Sequence, residues 1–549
     1  MGNVLHCIKS IPKVRFLTCK DVQTYWINEG PKAIFILLYV LANIAVILER
    51  FIHYYVVDDE VFKVLSWGLI GARCSAAALK LNCAIILIPV LRNFLSWIRG
   101  TWIGTYLPVD KAIVFHKNIA WFIAFLSAVH ITSHYMNFNT LEHWDIEDPE
   151  SRGDLTAWYS DLEPDGEMPT TWDFAWTTIA GITGHIVVFC MILMYSSAVE
   201  SVRRPNFEAF WFTHHLFIIF YGLLCAHGAG EILEPPTFWA WVLGPAVAYL
   251  VERMVRILRG HQSTVLLMAI QHPSKVIELQ MKKSKFRYKP GQYLFLNCPY
   301  IAPHEWHPFT ISSAPEEDFV SVHIRVVGDW TGKLAKLLNP EKQLGVVCEN
   351  MLTAVNGDPI LRIDGPFGAA SEDIFKFQTV MLFAAGIGVT PFASILKTIR
   401  YRIEAQLETG SVDMPITKVY FYWVTRDKNA FEWFFELLSA LEAENINNFL
   451  EIHAYLTSVR NTKAAKELIA EEEEEEDDGR DPFTGLMAGT HYGRPDLNAI
   501  FEDKTQNHPN DRIGVFFCGP RVMSKMLYKS CRKYTKKSST KFYYHKENF

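Results

Sequence analysis

The chain has 549 residues, half of them hydrophobic and 14% aromatic, with a formal net charge of -6. That length exceeds one ordinary domain, and scattered basic residues at so modest a charge argue against a nucleic-acid partner. The ten cysteines (7, 19, 74, 83, 190, 225, 298, 348, 518 and 531) contain no CxxC pair, which excludes the usual cysteine-based zinc and iron-sulfur frameworks and offers no disulfide scaffold.

Residues 1–32 are expected to be a cytoplasmic N-terminal segment; to Asn28 it is polar and basic, without the apolar stretch of a cleavable signal, so the first span is expected to serve as a signal anchor. The Met-Gly start has His6 where a myristoylation signal wants Ser or Thr. From about 33 to 258, apolar runs long enough for a hydrocarbon core of about 30 Å predict six spans, near 33–55, 65–90, 113–135, 174–198, 208–228 and 237–256. The chain is therefore expected to sit in a lipid bilayer. Arg92, Arg99 and Lys111 lie between spans two and three, Arg203 and Arg204 between four and five, and Arg253, Arg256 and Arg259 at the end of span six. The positive-inside rule makes these loops cytoplasmic, along with both termini and the soluble half. The loop between spans three and four carries a run of acidic residues from Glu142 to Asp173 and is expected outside.

Span three contains His116, His130 and His134, and span five contains His214, His215 and His227. Ionisable groups at membrane depth are costly and face functional interiors. His116 and His130, fourteen residues apart, share a helix face about 21 Å apart along the axis, a spacing that suits two stacked metal centres. His214 and His227 are thirteen apart, about 140° out of register on a straight helix, so their pairing with His116 and His130 requires span five to be distorted. His214 and His215 compete for the same role. Imidazole without thiolate or carboxylate partners suits haem iron, and two axial imidazoles make an electron-transfer haem. Arg73 in span two calls for an anion, such as a haem propionate or a product. Lys80, in the same span, is able to reach a water-filled cavity and has no assigned role.

Beyond span six, a domain over 262–370 is expected to be an antiparallel β-barrel, from the alternation in Val276–Gln280, Tyr293–Leu296 and Ser321–Val326. His307-Pro308-Phe309-Thr310-Ile311-Ser312-Ser313 offers backbone donors, hydroxyls and an aromatic suited to a flavin, with Arg325 placed to pair its pyrophosphate. Asp364-Gly365-Pro366-Phe367-Gly368 reads as a boundary turn. Residues 371–549 read as an α/β domain. Its first strand, Thr379–Ala385, runs into Gly386-Ile387-Gly388-Val389-Thr390-Pro391, where glycines and a helix N-terminus suit a second pyrophosphate. After strand Lys418–Val424, Arg426 favours a 2′-phosphate and hence NADPH, with Arg494 a second candidate and Asp427 a competing acidic neighbour. Strand Gly514–Phe517 leads to Cys518-Gly519-Pro520, a thiol over the expected nicotinamide site. The acidic run Glu471–Asp478, within an insertion near 466–480, reads as solvated and disordered.

Taken together, the membrane histidines, HPFTISS, DGPFG, GIGVTP, FCGP and the terminal Lys546-Glu547-Asn548-Phe549 resemble the NADPH oxidase family of the phagocyte cytochrome b type, over nearly the whole chain from about residue 25. The resemblance implies a ferric-reductase-like helical bundle and a cytoplasmic ferredoxin-reductase-like module, with FAD, two b-type haems and NADPH moving electrons to oxygen to form superoxide. It matches His116, His130, His214 and His227 to the haem ligands, and His307, Pro308, Phe309, Thr310 and Arg325 to the flavin site. Phe549 matches the terminal aromatic against the flavin. Gly386, Gly388, Thr390, Pro391, Arg426, Arg494 and Cys518 match nicotinamide-site positions, and Arg73 and His134 the oxygen-reduction pocket. It further implies a plasma-membrane, endomembrane or phagosomal location, a small membrane partner subunit and cytosolic activators, with Arg203 and Arg204 in a candidate docking loop. Too few residues precede span one for a calcium-binding helix-loop-helix array. The short outer loop Gly228–Thr237 lacks cysteine and an N-x-S/T sequon, which makes glycosylation there unexpected and weakens the likeness to members that release hydrogen peroxide. A metal reductase with another final acceptor, and a transporter or proton conduit regulated through NADPH, are the alternatives. No proton path is identifiable.

Overall fold

The computed structural model describes residues 19–57, 59–143, 169–230, 234–338, 346–347, 360–409, 414–444, 448–459, 480–481 and 483–547. Most of the acidic outer loop, the acidic run Glu471–Asp478 and Phe549 lie outside them. The chain divides into two compact units, one of residues 34–94 and 111–253 and the other of the remainder.

The first unit is helical. Its elements derive from α1 (Cys19–Ile52), α2 (Asp59–Ile85), α3 (Arg92–Arg99), α4 (Ala112–Glu142), α5 (Thr171–Trp176), α6 (Ile179–Ala198), α7 (Glu200–Arg203), α8 (Phe207–His214), α9 (Phe217–His227) and α10 (Phe238–His261), of which the start of α1 to Ala33, α3 from Leu95 and the end of α10 from Met254 belong to the second unit. Among the described residues, five stretches are long and apolar enough to cross a bilayer: Val22–Val57, Val61–Val90, Val109–Glu142, Ile179–Ala198 and Phe207–His227. Helix α10 takes the sixth expected position, with Glu252, Arg253, Arg256 and Arg259 gathered in its second half. Large apolar side chains such as Leu38, Phe125, Ile192 and Leu250 stand exposed on these helices, the pattern of a lipid-facing surface.

Two spans differ from expectation. The fourth begins at Ile179 rather than near 174, because two caps in succession interrupt it: Thr170 and Asp173 cap α5 reciprocally, and the Thr178 hydroxyl accepts from Gly181 N to start α6. The fifth is not one helix. Between α8 and α9 the bonds shorten to i→i−3, His215 N to Phe212 O, Leu216 N to Thr213 O and Ile218 N to His215 O, which tightens the chain and turns the second half of the span.

The second unit opens with the barrel: β1 (Thr264–His272), β2 (Val276–Lys283), β3 (Tyr293–Asn297), β4 (His307–Thr310), β5 (Val320–Arg325), α11 (Asp329–Leu337), β6 (Val346–Val347) and β7 (Arg362–Phe367). The strands form two antiparallel sheets, β5-β2-β1-β6 and β4-β3-β7, around a core that includes Leu279, Leu294, Leu296, Val322, Ile324 and Ile363.

The rest of the unit is an α/β lobe: β8 (Thr379–Ala385), α12 (Thr390–Thr409), β9 (Lys418–Thr425), α13 (Phe435–Ala443), β10 (Leu450–Leu456), β11 (His491–Tyr492), α14 (Leu497–Asn507), β12 (Arg512–Cys518), α15 (Arg521–Lys537) and β13 (Lys541–Lys546). Its parallel sheet has the order β11-β10-β9-β8-β12-β13. Strands β8 and β9 are apolar on both faces because both are covered: Val380, Leu382, Phe421 and Trp423 enter one core, and Met381, Phe383, Tyr420 and Tyr422 the other. Burying each of these large side chains is worth roughly 1.5–3 kcal/mol. On the open side of edge strand β13, the Asn28 amide of α1 donates to Phe542 O (3.3 Å) and accepts from Tyr544 N (2.8 Å).

Candidate functional site

In the helical unit the break in span five brings the histidines into two pairs. The His116 and His214 ring centroids are 6.3 Å apart, and those of His130 and His227 are 6.2 Å apart. A metal-imidazole bond of about 2 Å on each side of one ion leaves ring centroids about 6 Å apart, so both pairs have the spacing of bis-imidazole ligation. The outer nitrogens are fixed for it. His116 Nδ1 lies 2.9 Å from Ile86 O and His130 Nδ1 3.0 Å from Ala72 O. A carbonyl only accepts, so each Nδ1 carries the proton and each Nε2 keeps its lone pair. His227 Nδ1 lies 3.0 Å from Thr183 Oγ1, whose own proton goes to Ile179 O, giving the same tautomer. His215 turns away, with Nδ1 2.6 Å from Trp211 O, whereas His214 Nδ1 is buried and has no partner among the described residues.

A cavity of about 720 Å³ contains His130 and His227 in its lining, together with His134, Arg73, Lys80 and Glu234. The His134 ring lies 4.5 Å from that of His130, and the Arg73 guanidinium 5.7 Å from the Tyr54 ring. Two participants, Glu234 and His185, escape the sequence reading. Glu234, from the short loop before α10, accepts from Tyr54 Oη (2.7 Å) and pairs with Arg50, while Lys80 Nζ donates to Thr237 Oγ1 (2.8 Å) and lies 3.9 Å from Glu234. Burial raises the Glu234 carboxyl, but the Tyr54 hydrogen bond and the charges of Arg73, Arg50 and Lys80 outweigh it and hold the group below its ordinary value. His185 of α6 also lines the cavity, its Nε2 3.0 Å from Tyr135 Oη. An ionisable residue inside an apolar span was the available signal for His185; Glu234 offered none.

In the barrel, β4 edges its sheet and presents His307 and Phe309 beside Trp330, at ring distances of 4.2 and 6.2 Å. Pro308 is exposed, Thr310 is buried, and Arg325 is exposed where β5 ends. The hydroxyls of Ser312 and Ser313, expected to face a flavin, turn inward instead. Ser312 Oγ meets Ser321 Oγ and His323 Nδ1, each at 2.8 Å, and Ser313 Oγ meets Tyr288 Oη (2.7 Å) and Ser321 N (2.9 Å). Part of their backbone is engaged as well, Ser312 N donating to Ser321 O (2.8 Å) and Ser313 O accepting from Ser394 Oγ (2.7 Å). Asp364 of the DGPFG turn takes Arg256 Nε at 2.9 Å and Arg259 Nη2 at 2.6 Å, so these arginines anchor the barrel corner to the end of α10. Beside them Lys283 donates to Arg259 O and Ile363 O, and burial pulls its ammonium down to about 8.

The nucleotide-site residues gather at the carboxyl end of the parallel sheet, where doubly wound folds bind ligands. Gly386 adopts φ +57°, and Gly388 lies so close to the neighbouring strand that a Cβ there would be 2.4 Å from Cys518 O. Gly519, at φ +151°, is equally constrained. Thr390 and Pro391, both buried, open α12, and that helix is tied to the barrel through Ser394 Oγ to Ser313 O (2.7 Å) and Lys397 to Glu317 (3.1 Å). Arg426 and Arg494 are exposed just past β9 and β11, and Pro520 precedes α15. The Asp427 carboxylate caps its own turn at Asn429 N (3.1 Å), which leaves Arg426 as the outward-facing charge. Burial pushes the Cys518 thiol well above its usual range, so it stays protonated. Glu547 is buried next to this edge, accepting from Ser371 N (2.6 Å) and the Ser371 hydroxyl; burial nevertheless pushes its carboxyl up to about 7.

The chain matches three family descriptions: "Ferric reductase like transmembrane component" over residues 75–225, "FAD-binding domain" over 262–371 and "Ferric reductase NAD binding domain" over 377–532. It is 52% identical to a superoxide-generating NADPH oxidase heavy chain of Dictyostelium discoideum, covering 98% of this chain and all of that one. A second superoxide-generating heavy chain of the same organism is 42% identical, over 96% of this chain and 75% of that protein. NADPH oxidase 3 of Homo sapiens is 38% identical, over 95% of this chain and 99% of that protein.

Proposed function

The chain belongs to the NADPH oxidase family, and on that footing we propose which of its side chains carry the activity and on which side of the membrane they work. It is an integral membrane oxidoreductase that uses NADPH, FAD and haem to reduce oxygen to superoxide. When bound, FAD converts the hydride of NADPH into single electrons and haem iron relays them toward oxygen. His116 with His214, and His130 with His227, hold the two haems. Arg73 and His134, which line the cavity beside His130, would hold oxygen there and stabilise the anion that forms.

On the nucleotide side, the backbone of Gly386–Pro391 and the start of α12 hold the NADPH pyrophosphate, and Arg426 and Arg494 take the 2′-phosphate. Cys518, Gly519 and Pro520 border the nicotinamide. The neutral Cys518 thiol acts by contact and not as a nucleophile. His307, Pro308, Phe309, Thr310 and the backbone of Ser312 and Ser313 would line the flavin and Arg325 would pair its pyrophosphate; Phe549, outside the described residues, is proposed as the aromatic against its ring. The domains run 33–258, 262–370 and 371–549. The Lys/Arg-bearing loops support a cytoplasmic position for both termini and the reductase module of a plasma-membrane or endomembrane protein, with oxygen reduced on the opposite face. A small membrane partner and cytosolic activators engage it, the activators at the Arg203–Arg204 loop, where Arg204 is three-quarters exposed beside Glu200.

The observation that carries the assignment is the pair of histidine ring separations near 6 Å, made possible by the break in span five. The test is a reduced-minus-oxidised spectrum together with an NADPH-driven, superoxide-dismutase-sensitive assay on FAD-replete wild type and His130→Ala. A low-spin b-type spectrum with superoxide output that the substitution abolishes is expected; a variant with full haem content and output refutes the assignment.

A further inference from the structure

Strand register places three side chains that the flavin and nucleotide sites do not use on one face of the barrel wall. Glu278 of β2 is the direct cross-strand partner of His323 on β5, and it also pairs with Ile270 of β1, two residues before His272. Glu278 Oε2 lies 3.2 Å from His272 Nε2 and 3.6 Å from His323 Nε2, and the three ligand atoms all fall within 4.8 Å of one another. Zinc bonds of about 2.0–2.2 Å at tetrahedral angles set neighbouring ligand atoms about 3.3–3.6 Å apart, so an ion fits with small side-chain adjustments.

A plain hydrogen-bond cluster explains part of this arrangement but not all of it. His272 is within hydrogen-bond distance of Glu278, whereas His323 Nε2, on a ring 6% exposed, is buried without a partner among the described residues and aims at the same carboxylate oxygen. The far sides of the groups are already fixed. Ser312 Oγ holds His323 Nδ1 at 2.8 Å and Gln280 Nε2 holds Glu278 Oε1 at 2.9 Å, the outer contacts that orient metal ligands. Half-buried His272 leaves a route from solvent.

We propose that His272, Glu278 and His323 bind a zinc-class divalent cation, with water completing the coordination. Two imidazoles and one carboxylate suit zinc better than magnesium or calcium, which take oxygen ligands. The site lies at the seam with the α/β lobe: Phe434 packs 4.7 Å from His323, and Trp433 Nε1 donates to Pro273 O (3.0 Å) in the turn that follows His272. A bound ion therefore pins the β1–β2 turn to β5 where the nucleotide lobe rests.

The experiment uses the full-length protein, FAD-replete and stripped of metal with a chelator, equilibrated with zinc alone. Bound zinc is measured by elemental analysis against free concentration, and its ligands by zinc-edge X-ray absorption. Wild type is expected to hold one more zinc per chain than His272→Ala, with imidazole scattering, and Glu278→Gln is expected to weaken that site at least a hundredfold. His272→Ala changes the most accessible ligand, and unchanged flavin content certifies its fold. Equal zinc stoichiometry and affinity in wild type and His272→Ala, or no zinc taken up by wild type at micromolar free metal, overturns the proposal.

Discussion

Replacing Glu547 by glutamine tests how burial controls the segment beside Cys518. In the unfolded chain this carboxyl titrates near 4.5, and in the fold burial raises it to about 7. Below pH 4.5 both states are protonated and the fold loses nothing. Between 4.5 and 7 the unfolded chain releases the proton while the folded chain keeps it, so stability falls as pH rises; above 7 the full deficit persists. At about 1.4 kcal/mol per unit, that deficit is about 3 kcal/mol. Glutamine does not titrate, and its Oε1 still accepts from both Ser371 donors. Thermal unfolding of the full-length, FAD-replete protein, followed by flavin fluorescence from pH 5 to 8.5, should show the variant gaining on wild type by several degrees toward alkaline pH. Titrations elsewhere cancel in the difference between the two proteins. A difference that stays constant across this range, or that reverses sign, refutes the reasoning.

His214→Ala should lose one haem, and His215→Ala should keep both, because only the His214 ring faces His116; pyridine haemochrome content per flavin decides between them. Gly388→Ala drives a Cβ into the backbone of Cys518, so the KM for NADPH should rise at least tenfold while haem and flavin contents stay intact, as steady-state kinetics and cofactor analysis will show. Arg426→Ala removes a charge-assisted contact worth about 1.5–3 kcal/mol, which corresponds to a ten- to hundredfold loss in kcat/KM for NADPH with little change for NADH. Equal losses with both nucleotides would remove Arg426 from 2′-phosphate recognition.

Helical periodicity was enough to find His116 and His130, since both are on one uninterrupted helix. It failed at His214 and His215, because Phe210–Phe220 contains neither proline nor glycine and nothing local marks where the span breaks. The late start of span four is readable in principle from Thr170, Asp173 and Thr178, whose capping signals the apolar average of the run masks. In the soluble half, the glycine turn and the strands around it follow from local rules, because close backbone approach leaves few residue choices. Side-chain direction is a different matter: Ser312 and Ser313 spend their hydroxyls on partners eight to twenty-five residues away. His272, Glu278 and His323 are brought together by register across three strands, which no linear spacing announces and which a search for cysteine frameworks passes over.

The contact between Asn28 and β13 bears on the order in which the protein can be completed. One amide side chain occupies a donor and an acceptor on the outward row of the last strand, as a single rung of a neighbouring strand would. The two partners are separated by more than 500 positions, so a ribosome releases the first long before it has made the second. During that interval the lobe lacks its final strand, and β12 has an open flank. A soluble fragment that begins after the membrane helices keeps β13 but never acquires Asn28. Such a fragment should self-associate through that uncovered backbone row, and the remedy is to supply the opening helix of the chain, not a different buffer.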